Sequence, residues 1–354
     1  MTTVWPEADH SLERSYRRLL LAYPRRHRRR HGTELVTTLL EMAAPGQRHP
    51  RAGDALHLIV SGLRLRFRLP AGRPLLAVVA VLTALTLGAF GAAAGSWLGA
   101  QTLADLPDVA EMTRLTAQAT GTSDEALLSS VTMQGRTDTA GSTASITDTW
   151  DAEQARQRFA ADGWSVSPLT PIFGTRLTVE EDGTFTETPL HGTWFSAESN
   201  GLIVHVAGHL AGDTGSVSVD AGQVRTAAFL PLIAVGIAGG LVLGWLVAAS
   251  VAYRMVAASP GRRWSALGLW SASLLTLAMP AAALYDHVAQ VFRGGGDAFR
   301  VVTVHSALTP SDYYPFGPSW LIPGLTVAGA LVAVAAILVA RPGEQPPQQP
   351  ALAG

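Results

Sequence analysis

TAAFLPLIAVGIAGGLVLGWLVAASVA, residues 226–252, runs for 27 residues without a single charge. At ~1.5 Å of rise per residue, about 20 apolar residues in a helix cross the ~30 Å hydrocarbon layer of a bilayer. Three more uncharged runs meet that length: Leu75–Gly99, Ser265–Leu284 and Leu321–Ala340. Together the four predict an α-helical polytopic membrane protein with four transmembrane helices. They also divide the rest of the chain between the two sides of the membrane.

Arginine decides the sides, because cytoplasmic helix flanks are enriched in it. Arg64, Arg66, Arg68 and Arg73 precede the first run, whereas Asp105, Asp108 and Glu111 follow it. Arg254, Arg262 and Arg263 lie between the second and third runs with no acid, and Arg341 follows the fourth. Outside the body of the 100–225 segment, only Arg225, Arg293 and Arg300 fall on the opposite side. The expected layout in a cell membrane has both termini cytoplasmic. It comprises an Arg-rich helical prefix (1–73), helices at 75–99, 226–252, 265–284 and 321–340, and an extracytoplasmic domain (100–225). A cytoplasmic loop (253–264), an extracytoplasmic loop (285–320) and a Pro/Gln-rich disordered cytoplasmic tail (341–354) complete it. Trp97, Tyr285 and Trp320 at the outer edge, with Tyr253 and Trp264 at the inner, fit interfacial aromatic belts. Ala92-Ala93-Ala94 resembles a signal-peptide cleavage site. A 25-residue run behind a 73-residue prefix nevertheless suits an anchor better than a signal core of ~7–15 residues.

The net charge of -1 conceals a segregation. Residues 1–73 hold 14 Arg against 6 acids, a net of +8, and residues 101–225 hold 6 Arg against 17 acids, a net of -11. All 26 basic residues are Arg and none is Lys, a bias of GC-rich genomes such as those of actinobacteria. Cysteine is absent, which excludes disulfides, thiolate nucleophiles, Cys-ligated zinc and iron–sulfur clusters.

Residues 11–42 of the prefix read as two short helices. Leu19, Leu20 and Tyr23 end the first and Pro24 stops it; Leu35, Leu39, Leu40 and Met42 follow Gly32 in the second. Between them, Arg25-Arg26-His27-Arg28-Arg29-Arg30-His31 offers positive charge to nucleic-acid phosphates or to anionic lipid headgroups. Beside a membrane anchor the lipid bilayer is the expected partner and nucleic acid is not. Residues 52–68 have two readings. One is an interfacial amphipathic helix, with Leu56, Ile59 and Leu63 on one face and Arg64, Arg66 and Arg68 near the membrane entry; the other is a packed third helix of the prefix.

The stretch Tyr16-Arg17-Arg18-Leu19-Leu20-Leu21-Ala22-Tyr23-Pro24, continuing through His31-Gly32-Thr33-Glu34-Leu35, resembles the permease prefix of many actinobacterial membrane proteins. That pattern is roughly Leu-Leu-x-x-Tyr-Pro, a basic stretch, then Gly-x-Glu-Leu; His27 and His31 depart from it where aromatic residues are common. The resemblance covers about 25 of 354 residues. Some members are ABC-type efflux permeases and others are uncharacterised membrane proteins. The resemblance makes a permease component of an export system the alternative reading without assigning transport, because no ATP-binding module follows.

The segment 100–225 opens on a predicted helix, Leu103–Ala119, and a Ser/Thr/Gly-rich stretch through Thr143. Ala144–Thr149 alternates like a strand. Asp151–Asp162 reads as a helix with Ala152, Ala155 and Phe159 on one face and Gly163 as its stop; Trp164–Val166 resumes a strand. Arg176–Glu180 and Thr184–Thr188 flank one hairpin signal, Glu181-Asp182-Gly183. Thr193–Glu198 and Leu202–Ala207 flank another, Ser199-Asn200-Gly201. The order predicts an inserted α+β domain of ferredoxin-like type.

Candidate chemistry is sparse. His191, His205, His209 and Asp213 are close in sequence, but i and i+4 in a strand lie ~13 Å apart, and no His-Glu-x-x-His arrangement occurs. Surface histidines are expected rather than a metal site. Glu180-Glu181-Asp182 reads as a solvated turn, lacking the alternating oxygen ligands of a calcium loop. There is no Gly-x-Ser-x-Gly elbow and no Lys-bearing phosphate loop, and Gly294-Gly295-Gly296 lacks a strand–helix context. No cofactor is implied. The four runs contain no ionisable residue, which argues against an ion-coupled carrier; Asp286 and His287 lie just beyond the third. Glycines instead recur at four-residue spacing, at Gly91, Gly95 and Gly99 and at Gly236, Gly240 and Gly244, with Gly324 and Ala328 a weaker echo. Such ridges allow close helix approach, either within the bundle or against a partner subunit or second copy. Pro231 and Pro280 are candidate kinks.

These features favour a non-enzymatic accessory, regulatory or sensing subunit whose exterior domain meets a ligand or an envelope protein. An envelope enzyme would require His191, His205, Asp286 and His287 to converge.

Overall fold

The computed structural model describes residues 10–44, 47–70, 74–122, 128–134, 139–146, 150–179, 185–211, 214–293, 301–309 and 317–340. Its helices are α1 (His10–Leu19), α2 (Arg25–Glu41), α3 (Ala52–Phe67), α4 (Pro74–Ala100), α5 (Val109–Thr120), α6 (Ala152–Ala161), α7 (Phe229–Ala257), α8 (Pro260–Phe292) and α9 (Leu321–Val339). Four of them, α4, α7, α8 and α9, are long and apolar enough to cross a membrane, as in a multi-pass membrane protein. Each coincides with an uncharged run, but α8 extends well beyond Ser265–Leu284. Pro260 suits the first helical position, and Val288 and Val291 continue the inward-facing spacing of Leu284. Asp286 and His287 therefore belong to a helix, not to the loop expected at 285–320. Pro231 sits in the first turn of α7, where no helical hydrogen bond is lost. Pro280 lies inside α8.

The chain divides into two compact units. One comprises Met1–Leu87, Leu241–Thr276 and Ala328–Gly354. Its prefix is a three-helix cluster around Leu12, Tyr16, Leu20, Tyr23, Val36 and Leu58. A 3₁₀ turn, Leu20–Ala22, follows α1, and Pro24 immediately precedes α2. The basic run is thus helical from Arg25 onward, not a linker between helices. Gly32 is tolerated inside α2 because the site is open: an added Cβ would meet only Arg28 Cβ, at 3.9 Å. The residues that carry the permease-prefix pattern have a structural use, since Tyr16, Leu20 and Tyr23 are core. Residues 52–67 form a third helix packed into the prefix, with a second apolar face left exposed. Leu58 and Leu65 of α3 join the core, while Leu56, Ile59, Val60 and Leu63 remain exposed. Between the long helices of this unit, Trp270 Nε1 donates to Thr83 Oγ1 at 3.0 Å and Ser273 Oγ donates to Gly329 O at 2.8 Å. Each bond satisfies a polar group buried among Val251, Met255, Ala266 and Ala336.

The other unit comprises Gly88–Gly240 and Leu277–Val327. Its strands are β1 (Leu128–Gln134), β2 (Thr139–Ile146), β3 (Ser165–Val166), β4 (Thr170–Val179), β5 (Phe185–Ser199), β6 (Leu202–Ala211) and β7 (Thr214–Gln223). They form one antiparallel sheet ordered β1-β2-β7-β6-β5, with β3 and β4 both on the far edge of β5. Between them Ser167 bridges the gap: its N–H donates to Ser196 O at 2.8 Å and its Oγ accepts from Ser196 N at 2.9 Å. Ferredoxin-like chains run β-α-β-β-α-β. Here the order from α5 is α-β-β-α followed by five strands, so the expected fold type is replaced by a meander. The segments Thr184–Thr188 and Thr193–Glu198 are parts of one strand, β5.

Helices α5 and α6 cover one sheet face. Asp108 and Asp151 cap them, Asp108 accepting from Glu111 N at 2.8 Å and Asp151 from Glu153 N and Gln154 N at 2.9 and 3.0 Å. Met112 and Leu115 of α5 and Ala155 and Phe159 of α6 bury against Phe195, Val204, Val206, Val217 and Val219. Trp150 closes the end of this core: its Nε1 donates to Ala119 O at 2.9 Å, and its ring lies over Gly208, where a Cβ would overlap it.

Candidate functional site

The second sheet face follows from register. Phe195 and Val206 point to the helices, so their neighbours in the chain point away. Ser196 stands opposite His205, His205 opposite Asp220, and Asp220 opposite Gly141. One step along, Trp194 stands opposite Ala207 and Ala207 opposite Ser218. Direct cross-strand neighbours have Cβ atoms ~4.5–5.5 Å apart, so hydroxyl, imidazole and carboxylate lie side by side across three strands. The Trp194 and His205 rings meet edge-on, with centroids 4.3 Å apart at 63°. Trp194, Ser196, His205, Ser218 and Asp220 are all half-buried. An aromatic surface among short-range donors and acceptors suits a polar ligand or a protein surface. Acyl chemistry would also need donors aimed at a developing oxyanion; the Ser196 N–H is already engaged by Ser167 Oγ.

A second polar cluster lies within the core of the same unit. Ser96, on α4 and fully buried, accepts from Val304 N at 2.8 Å, and its Oγ is 3.3 Å from His305 Nδ1. His287 on α8 is buried and donates from Nδ1 to Thr303 O at 3.0 Å; Ser306 Oγ donates to the same carbonyl at 2.7 Å. Val301, Val304 and Ala307 fill the hydrophobic core around these bonds. The segment 301–309 is thereby fastened to α4 and α8. Its spacing of apolar residues by three was a signal available in the sequence; nothing marked Ser96.

The four residues required to converge for catalysis have different surroundings. His191 lies against Phe173, with ring centroids 6.1 Å apart, on the opposite parity of β5 from Trp194. His205 meets Trp194, Asp286 accepts from Gln290 Nε2 at 2.8 Å, and His287 holds Thr303. His205 and His209 share a face of the unbroken strand β6, and among the described residues no group of three or more His, Cys, Asp or Glu is placed to hold a metal. Asp213, Glu180-Glu181-Asp182 and Gly294-Gly295-Gly296 lie outside the described residues.

The glycine ridges meet each other. A Cβ on Gly91 would overlap Gly236 O, one on Gly95 would overlap Leu232 O, and one on Gly99 would crowd Phe229 at 2.9 Å. Gly240 Cα abuts Gly91, and Gly244 abuts Ala84. Gly91, Gly95, Gly99, Gly236 and Gly244 are thus packed against the chain itself. Of the basic residues, Arg29, Arg30, Arg64 and Arg68 are exposed and Arg28 is half-buried. Arg25 and Arg26 open α2. Arg66 is committed internally, its Nη2 donating to Leu21 O at 2.5 Å and Tyr23 O at 3.3 Å. Tyr23, His27 and His31 form a ladder of rings with centroids 5.4 and 5.1 Å apart, which gives the two histidines the stacking role of aromatic residues.

Compared with known proteins, the chain matches no family model, no curated sequence and no solved structure.

Proposed function

We propose that this chain is a non-enzymatic accessory or sensing subunit of a cell membrane, with both termini cytoplasmic and the sheet domain outside. The domain's ligand, a polar molecule or an envelope protein, meets the face of Trp194, His205 and Asp220. The observation that carries this reading is the pairing of that half-exposed face with a direct tie to the ends of long helices. Thr102 and Thr226 hydroxyls are 2.6 Å apart where the domain begins and ends, Gln223 Nε2 donates to Ala104 O at 2.6 Å, and Arg225 donates to Val291 O on α8 at 3.1 Å. Strain on β7 is thus delivered to α7 and α8 within one compact unit. The permease-component reading rests on the prefix pattern, and the core roles of Tyr16, Leu20 and Tyr23 account for that pattern without transport.

The test is cross-linking of the full chain in intact cells followed by detergent pull-down, comparing wild type with Trp194→Ala and Asp220→Asn. A specific envelope partner lost in both variants supports the reading. Capture unchanged by either variant, or no specific partner, refutes it.

A further inference from the structure

We infer that the unit containing the prefix holds a site for one anionic phospholipid, with its headgroup on Arg64 and Arg68 and an acyl chain in the groove beside Phe67. The groove, about 350 Å³, is lined by Phe67, Ala84, Leu85, Leu241, Val242 and Trp245. All are apolar but for the indole nitrogen, and Trp245 Nε1 is already spent on Phe67 O at 2.9 Å. That bond fixes the end of α3 against α7, a helix able to cross a membrane. Only six residues separate Phe67 from Pro74, the start of α4, a reach of at most ~25 Å. The end of α3 is therefore held at the edge of the membrane-spanning region, where its groove faces acyl chains.

Three features select the occupant. Leu56 (63% exposed), Ile59, Val60 (54%) and Leu63 form an exposed stripe at i, i+3, i+4 and i+7 along α3, the pattern of a helix lying in a membrane interface. Arg64 and Arg68 are exposed and make no hydrogen bond or ion pair among the described residues, whereas Arg66 between them is spent on Leu21 and Tyr23. No acidic residue occurs from Ala55 to Ala104, so no carboxylate near them in sequence competes with a phosphate for the two guanidinium groups. A zwitterionic lipid offers the same phosphate with a neutralising cation attached, and so gains less.

The experiment is native mass spectrometry of the full chain released from mixed micelles of phosphatidylglycerol and phosphatidylcholine. An arginine near an anionic surface contributes about a fivefold preference. Arg64→Gln combined with Arg68→Gln is thus expected to reduce the phosphatidylglycerol preference by roughly thirtyfold. Val242→Trp, which fills the groove from its exposed side, should lower retention of both lipids. Arg29→Gln with Arg30→Gln, on exposed positions of α2, should change neither, and near-UV circular dichroism establishes that each variant is folded. An undiminished preference in the Arg64/Arg68 pair overturns the proposal, as does an equal loss in the Arg29/Arg30 pair or retention unaffected by Val242→Trp.

Discussion

Replacing Gly244 by Ala tests the helix contact on which the first unit depends. The added Cβ would sit 2.7 Å from both Ala84 Cα and Thr83 O, while ordinary contact begins near 3.4 Å. The obstructing atoms are backbone, so no rotamer change relieves the overlap, and α4 and α7 must part by about 0.7 Å. A radial gap of 0.5–1 Å forfeits a quarter to a half of each dispersion contact along the seam, and overpacking of this kind costs about 1–3 kcal/mol. Gly239 on the same helix provides the comparison, since a Cβ there meets nothing within 4 Å; alanine favours the helix by up to ~1 kcal/mol. Thermal unfolding of the full chain in detergent, followed by tryptophan fluorescence, should show Gly244→Ala melting several degrees below wild type and Gly239→Ala at or above it. Equal melting of the two variants would refute the close approach of α4 and α7.

Three further outcomes are expected. Ser96→Ala leaves the buried Val304 N–H without its acceptor, at about 1–3 kcal/mol, and should accelerate amide exchange across 301–309 without altering the sheet domain. Arg66→Gln removes the guanidinium from the Leu21 and Tyr23 carbonyls; limited proteolysis near residues 20–24 should quicken, while Arg64→Gln leaves it unchanged. The Tyr16 hydroxyl titrates above its ordinary value of 10, chiefly because burial disfavours the phenolate and secondarily because Asp54 is near, with Arg51 opposing. Below pH 10 the phenol is neutral in folded and unfolded chains alike and this stabilisation is complete. Above it the unfolded chain ionises first, so prefix helicity should fall with rising pH, and Tyr16→Phe should flatten that dependence.

The membrane helices were legible because charge is so costly in hydrocarbon that its absence writes their boundaries. Their extent was less so: the 3.6-residue spacing of Leu284, Val288 and Val291 carries α8 past the first charged residue. In the sheet domain, Pro189 and Gly192 made β5 read as two strands, although β6 pairs with it from His191 to Ser199. Strand β7 escaped notice because Val217, Val219 and Ala221 alternate with serines and an acid in a stretch dense with turn-formers. The Trp194–His205–Asp220 neighbourhood is set by the registers of two successive hairpins, β5–β6 and β6–β7, and the second cannot be read while β7 is unrecognised. The buried partners of His287 are set by the packing of residues 301–309 against α8 and not by a strand or helix period.

The hydroxyl pair Thr102–Thr226 has a wider consequence. The two points where the polypeptide leaves and rejoins its long helices are neighbours, so the intervening stretch is a cassette whose two ends meet at one place. Exchanging it for a turn of a few residues would leave α4 and α7 joined as a plain helical hairpin, and a stripped-down protein of this kind should still insert and fold.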